Sequence, residues 1–248
     1  MLPLWIRAPT ETDASASHYA SPVKKRELRS RTPGSPAAGF GAPITAMELD
    51  PESLGARDMY EWMTTTILPR PIAWVSTISL DGKTNLAPFS FFQGVCARPP
   101  TLLFCPANDR HGRPKDTLVN VEATGEFVVN LVPFALVESM NATAATLPYG
   151  ESEFDRFEIA PAPSVRVRPP RVAAAPVAFE CRLDRVIRIG EGPIAGHVVL
   201  GRIVHFHVLD SVLAPDGKPD PSKLDLVGRA GRNDYVRLGE LFRMERPG

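Results

Sequence analysis

Between Pro71 and Val95 the chain spells out a pair of strands joined by a tight turn. Ile72-Ala73-Trp74-Val75-Ser76-Thr77-Ile78-Ser79 is β-branched and aromatic, and the Asp81-Gly82 that follows is a hairpin signal, because glycine accepts the positive φ that such turns require. Leu86 to Val95 reads as the returning strand. Pro88 within it has no amide to donate, so it must lie at an edge, a bulge or a break.

The rest of the chain extends this antiparallel pattern. Thr101 to Cys105, between Pro99-Pro100 and Pro106, is a short apolar run of the kind that makes a buried strand. Asp116 before Thr117 to Thr124, with Gly125 after, predicts a helix with an Asp N-cap and a glycine stop. Glu126 to Val132 reads as a strand, and Phe134 to Ala145 as a second helix through Leu136, Val137 and Met140. Pro161, Pro163, Pro169, Pro170 and Pro176 force the stretch from Arg156 to Pro176 to run largely extended. Val177, Phe179, Cys181 and Leu183 then alternate with polar or small residues, so a half-buried strand runs to Ile189. Gly190-Glu191-Gly192-Pro193 turns the chain, and His197 to Leu209 returns. Upstream, Asp50-Pro51-Glu52-Ser53 ahead of Leu54, Met59 and Trp62 reads as a short lead-in helix with an Asp cap. Lys223 to Pro247 reads as a tail whose Gly228-Arg229-Ala230-Gly231 is too glycine-rich for a helix interior. Strands outnumber helices and short turns join them, the pattern of an antiparallel barrel with helices at its ends.

Residues 1–46 mix Ser, Pro, Ala, Arg and Gly without either hydrophobic period and are expected to be a disordered extension. They hold six basic residues (Arg7, Lys24, Lys25, Arg26, Arg29, Arg31) and three acidic ones (Glu11, Asp13, Glu27), a net +3 that reads as a solvated tail. Met47 is expected to be the translation start, which an intact mass containing residues 1–46 would refute. Residues 47–248 form the folded domain. Over the whole chain 28 basic and 28 acidic residues cancel, so charge gives no reason to expect a nucleic-acid partner. No uncharged apolar run reaches the roughly 18 to 20 residues of a membrane span. Cys96, Cys105 and Cys181 form no C-x-x-C and lack zinc-site spacing, which predicts reduced thiols in the cytoplasm.

No G-x-S-x-G, H-E-x-x-H or Walker loop is present, so the common hydrolase signatures are absent and cofactor binding is the class left. Three strings combine polar residues with apolar walls: Arg70-Pro71-Ile72-Ala73-Trp74-Val75-Ser76-Thr77, Thr84-Asn85-Leu86-Ala87-Pro88-Phe89-Ser90-Phe91-Phe92, and Arg113-Pro114-Lys115-Asp116-Thr117. In this order, from about Arg70 to Asp210, the chain resembles the flavin reductase-like FMN-binding split-barrel family, which includes the reductase components of two-component monooxygenases. The resemblance implies a six-stranded antiparallel Greek-key barrel with flanking helices, bound FMN, NADH or NADPH as co-substrate, a homodimer, and in some relatives a monooxygenase partner.

The FMN contacts it implies are Arg70, Trp74, Ser76, Thr77, Asn85, Leu86, Ala87, Pro88, Ser90, Phe91, Lys115, Asp116 and Thr117. The chemistry of these residues is compatible with that ligand. A flavin ring needs apolar or backbone faces beside a few donors, which Asn85 to Ser90 could supply, and its phosphate needs positive charge, which Lys115 and the amides opening the next helix could supply. Taken singly, Trp74, Phe89, Phe91 and Phe92 read as core, Ser76 and Thr77 as ordinary strand residues, and Arg70 and Lys115 as surface charges. Asp116 reads as a helix cap. His197 is the candidate for nicotinamide, although the spacing before Gly201 departs from the family's commonest pattern. His205-Phe206-His207 sets two imidazoles on one strand face, a metal-compatible spacing without an evident third ligand, so no metal is expected. No catalytic acid or base is required, since hydride transfer belongs to the cofactors. The expected activity is NAD(P)H:flavin reduction. A flavoprotein of the same fold acting on another substrate or carrying electrons, and a haem- or flavin-binding protein without enzymatic activity, remain open alternatives.

Overall fold

The structure, a computed structural model, describes residues 25–27 and 45–247. Of the extension expected to be disordered, Lys25–Glu27 pairs antiparallel with Thr45–Met47, so this part is extended and paired; the remainder of residues 1–46 lies outside the described residues. Asp50 caps only a single 3-10 turn, its carboxylate accepting the Glu52 amide, and a separate helix, α1, spans Ala56–Thr66.

The remaining domain is built on one seven-stranded antiparallel sheet: β1 (Ala73–Ile78), β2 (Thr84–Phe89), β3 (Phe92–Ala97), β4 (Pro100–Phe104), β5 (Glu126–Asn130), β6 (Val177–Ile189) and β7 (Gly196–Val208), in the spatial order β2-β1-β5-β6-β7-β4-β3. The expected returning strand is therefore two strands. It breaks at Ser90-Phe91, and its halves lie at opposite edges of the sheet, which is why there are seven strands where six were expected. The first turn forms as predicted: Gly82 has φ +85°, and the Ser79 hydroxyl donates to Asp81 while accepting the Lys83 amide.

Strand β1 is buried on both faces because it lies between two cores. Ala73 and Val75 face the barrel interior with Phe89, Leu102, Phe104, Phe127, Val129, Cys181 and Val199. Ile72 and Trp74 face an outer layer with Leu86, Val132, Met140 and Phe154. That layer is closed by α3 (Val137–Ala142), shorter than the sequence predicts because a 3-10 turn occupies Phe134–Leu136, and by the one-turn α4 (Glu153–Arg156). The helix α2 (Asp116–Thr124) crosses from β4 to β5 and ends at Gly125, whose φ of +70° and amide bond to the Val121 carbonyl make the predicted stop. The presumed tail is partly structured. Val227–Arg229 pairs with Tyr235–Arg237 and with Arg70-Pro71.

Candidate functional site

The first turn of α2 is bolted to the β1–β2 hairpin by buried polar side chains. Asn85 on β2 donates from Nδ2 to Thr117 Oγ1 at 3.0 Å, and Asn120, one turn along α2, donates from Nδ2 to Thr77 Oγ1 on β1 at 3.1 Å. Thr77 and Asn85 are register partners, so the two bonds rise side by side from one face of the hairpin. Tyr149 extends the ladder by donating its hydroxyl to Asn120 Oδ1 at 3.5 Å. On the free edge of β2, the buried Glu153 carboxylate accepts the Leu86 amide at 2.7 Å, and the Thr84 and Ser152 hydroxyls share a bond of 2.7 Å. Burial pushes the Glu153 carboxyl above its ordinary pKa, against the Leu86 amide, which favours the charged form.

These bonds hold Lys115 at the mouth of the arrangement. It is the N-cap of α2, exposed, and makes no ion pair among the described residues. The amides of Asp116 and Thr117 precede the first helix bonds, which the Leu118 and Val119 amides make to the Lys115 carbonyl, and this end of the helix carries partial positive charge next to an exposed cation, a pairing suited to an anionic group. Ala87, Pro88, Ser90, Phe91 and Asp116 are part-exposed nearby in the chain, while Thr77, Asn85 and Thr117 are buried beneath. Asp116 is inside the first turn, with no side-chain cap made at this helix, which corrects the expected capping role; burial raises its carboxyl pKa.

Pleating divides the rest of the expected set. Trp74, Ser76 and Leu86 point to the face opposite Thr77 and Asn85. Trp74 is fully buried in the outer layer and spends its ring N–H on Thr143 Oγ1 at 2.9 Å; Leu86 is equally buried there, with its amide taken by Glu153. Both are core residues, because period-two alternation turns them away from α2. Ser76 is buried on that same face with no partner for its hydroxyl. Arg70 forms a separate group. It is buried, donates from Nη2 to the Ala230 carbonyl at 2.6 Å, lies 5.7 Å from the Phe91 ring centre, and leaves Nε and Nη1 unpartnered. Desolvation lowers its pKa, the nearby Tyr60 opposing.

His197 on β7 is buried, its Nε2 sharing a 2.7 Å bond with Asn108 Oδ1 and its Nδ1 unpartnered. Burial first and the Arg188 guanidinium second lower its pKa, which favours the neutral ring. Its charged neighbour on α2 is Glu122, seven residues after Lys115 and so about 10 Å along the helix. Asn120, Tyr149 and Glu153 were not legible as site residues in the sequence, since each stands in a segment whose pattern speaks only of helix or loop. A hollow of about 870 Å³ beside this group is rimmed by Glu138, Glu151, Asp155 and Glu158 with Arg156 as its one guanidinium, and its negative balance suits an anionic cofactor poorly.

Residues 64–219 match the family model described as "Flavin reductase like domain". The chain belongs to the flavin reductase-like family. An uncharacterized protein of Bacillus subtilis is 40% identical over 199 residues, covering 79% of this chain and 97% of its own length. The crystal structure of nitrilotriacetate monooxygenase component B from Bacillus cereus is 33% identical with a TM-score of 0.76, covering 83% of this chain and 100% of that one. The 2-nitrobenzoate 2-nitroreductase of Pseudomonas fluorescens is 26% identical with a TM-score of 0.71, covering 81% and 96%. The fold is thus the mainly β split barrel of flavin reductases, as the sequence resemblance implied. Membership of this family supports flavin binding and oxidoreductase chemistry. Among the described residues no helix is long and apolar enough to cross a membrane.

Proposed function

We propose that the protein binds FMN at the mouth between α2 and β2 and acts as an NAD(P)H:flavin reductase. The observation that carries this reading is Lys115, an exposed cation without an ion-pair partner among the described residues, at the head of the helix that the Asn85–Thr117 and Asn120–Thr77 bonds fix to the hairpin. Lys115 and the first amides of α2 would take the phosphate. Ala87, Pro88, Ser90 and Phe91 would give the ring a largely apolar wall, and Arg70, with two unpartnered guanidinium nitrogens behind Phe91, would face the anionic or carbonyl edge of the ligand. Bound flavin would supply the redox chemistry, accepting hydride at N5 and passing electrons onward. His197, its Nε2 donating to Asn108 Oδ1 and its Nδ1 unpartnered among the described residues, would accept at Nδ1 from a nicotinamide amide.

A homodimer, action in the cytoplasm and delivery of electrons to a monooxygenase component belong to the same proposal. The free state of Cys96, Cys105 and Cys181 supports a reducing compartment. The B. cereus neighbour, itself a monooxygenase component B, supports the partner. The P. fluorescens nitroreductase favours a second reading, in which electrons pass directly to a small oxidised substrate. Aerobic oxidation of NADH and NADPH, with and without FMN, FAD and riboflavin, tests the reductase: oxidation that depends on added or bound FMN is expected. FMN binding without oxidation of either nucleotide would overturn the reductase while leaving the flavin site, and no binding of any flavin would overturn both.

A further inference from the structure

A second cluster of functional groups stands apart from α2, where β6 and β7 run side by side. Glu180 on β6 is the register partner of His205 on β7, so the two side chains are direct cross-strand neighbours. His207, two residues further on, is the diagonal neighbour on the same face. One ligand atom from each of the three lies within 4.8 Å of the other two. Glu180 is fully buried and the two imidazoles are partly exposed, so the group opens outward on its histidine side.

The hydrogen bonds already made here fix how the carboxylate is used. Glu180 Oε1 accepts the Val165 amide at 2.7 Å and meets His207 Nε2 at 2.5 Å; Oε2 accepts the amides of Arg166 at 2.5 Å and Val167 at 3.2 Å. The carboxylate is thereby the anchor of the proline-rich segment. Desolvation alone would raise its pKa, but the bonds from His207 and the amides outweigh it and lower it, favouring the charged form. His205 has no hydrogen bond among the described residues, yet its ring sits edge-on to that of His207 with centres 4.9 Å apart.

The geometry points to a binding site for a divalent first-row transition cation of the zinc type, held by Glu180, His205 and His207. Two imidazoles and a carboxylate are a donor set that such cations take, with water completing the shell. Bonds near 2 Å in a tetrahedral shell put ligand atoms about 3.4 Å apart. Reaching that spacing from the present one asks the partly exposed His207 ring to withdraw from its 2.5 Å contact and the partly exposed His205 ring to turn inward, while Glu180 stays in place. The cation would displace the proton shared by His207 Nε2 and Glu180 Oε1 as those two atoms move apart, the ring then carrying its single proton on Nδ1, and Glu180 would keep all three amides. Bound there, it would cross-link β6, β7 and residues 165–167, a structural staple independent of the flavin reading.

The test is calorimetric titration of the metal-stripped full-length protein with Zn2+ at neutral pH, together with the visible spectrum of the Co2+ form. One site per chain is expected, with imidazole-containing low-coordinate Co2+ bands and a zinc-dependent rise in melting temperature. His205→Ala should weaken zinc by more than about tenfold and abolish the thermal rise while leaving the circular dichroism native. His207→Ala should do the same. Glu180→Gln strips a buried anchor and can unfold the segment, so the histidine variants carry the decision. Cys96→Ser, which removes the exposed thiol as a competing ligand, should leave the affinity unchanged. Zinc binding equal in the wild type and both histidine variants, or lost in Cys96→Ser, would overturn the site, as would the absence of binding.

Discussion

Lys115 has no ion-pair partner among the described residues, so its value to the protein lies in what it meets from outside. If it bonds the FMN phosphate, Lys115→Ala should weaken FMN by about 1.5 to 3 kcal/mol, the range for a charge-assisted bond, and leave riboflavin affinity unchanged. Parallel titrations of the two flavins read this directly; equal losses for both would return Lys115 to an ordinary surface charge. Glu153 works differently, by fixing the free edge of β2 through the Leu86 amide. Glu153→Ala leaves that buried amide without an acceptor and should cost about 1 to 3 kcal/mol in denaturant unfolding, whereas Glu153→Gln keeps an acceptor and should cost less. The two should also differ in pH response. The folded-state pKa of Glu153 is raised, so its contribution is fully present below the unfolded value and is lost as pH rises through the folded one. Glu153→Gln should remove that part of the pH dependence.

At the level of elements, Pro88 and Gly201 show why two strands tolerate residues that strands usually exclude. Leu86 turns its amide to the outer edge of β2, and Pro88, two residues on, occupies the same outward position, where a missing donor costs no ladder bond. Pro88→Ala should therefore change stability by no more than about 1 kcal/mol while lowering FMN affinity, because it loosens the segment leading to the break at Ser90. FMN affinity beside thermal melting makes the comparison; a large stability loss with unaltered affinity would make Pro88 a folding residue. Gly201 on β7 packs beneath Phe127, where a Cβ would lie 2.2 Å from the ring. Gly201→Ala should destabilise by about 1 to 3 kcal/mol through displacement of a fully buried aromatic, as chemical denaturation would show.

Across the whole molecule, apolar side chains remain in water on α1 and just after it, with Tyr60 and Ile67 each 55% exposed, and on the segment after Arg237, where Phe242 is 82% exposed. Among the described residues the sheet also ends on one side at β3, which carries the exposed Val95 and has no strand paired beyond it. Such surface is expected to be covered by a second copy, so light scattering at micromolar concentration should give twice the chain mass of 27.0 kDa. A monomer mass would separate the flavin reading from the dimer.

The local chemistry of the sequence determined much of this on its own. Asp81-Gly82 closes a hairpin, Gly125 ends a helix and Gly190 to Pro193 turns the longest pair of strands, because each depends on φ preferences or missing donors of residues adjacent in the chain. The order of the three cofactor strings was equally legible, and it led to the family that the comparison then showed. What the sequence could not decide is which alternate side chains face the same neighbour. Trp74 and Leu86 read as ligand contacts until pleating turned them into the outer core, and Asp116 read as a cap until the helix began one residue earlier. Asn120, Tyr149 and Glu153 are tied to the β1–β2 hairpin through the bonds Tyr149–Asn120, Asn120–Thr77 and Glu153–Leu86, which span 29, 43 and 67 residues of chain. Glu180 meets His205 only because β6 and β7 pair in one register. Local rules act between residues a few positions apart, whereas both sites are assembled across strands, and only burial of the two cores selects the pairing that brings their members together.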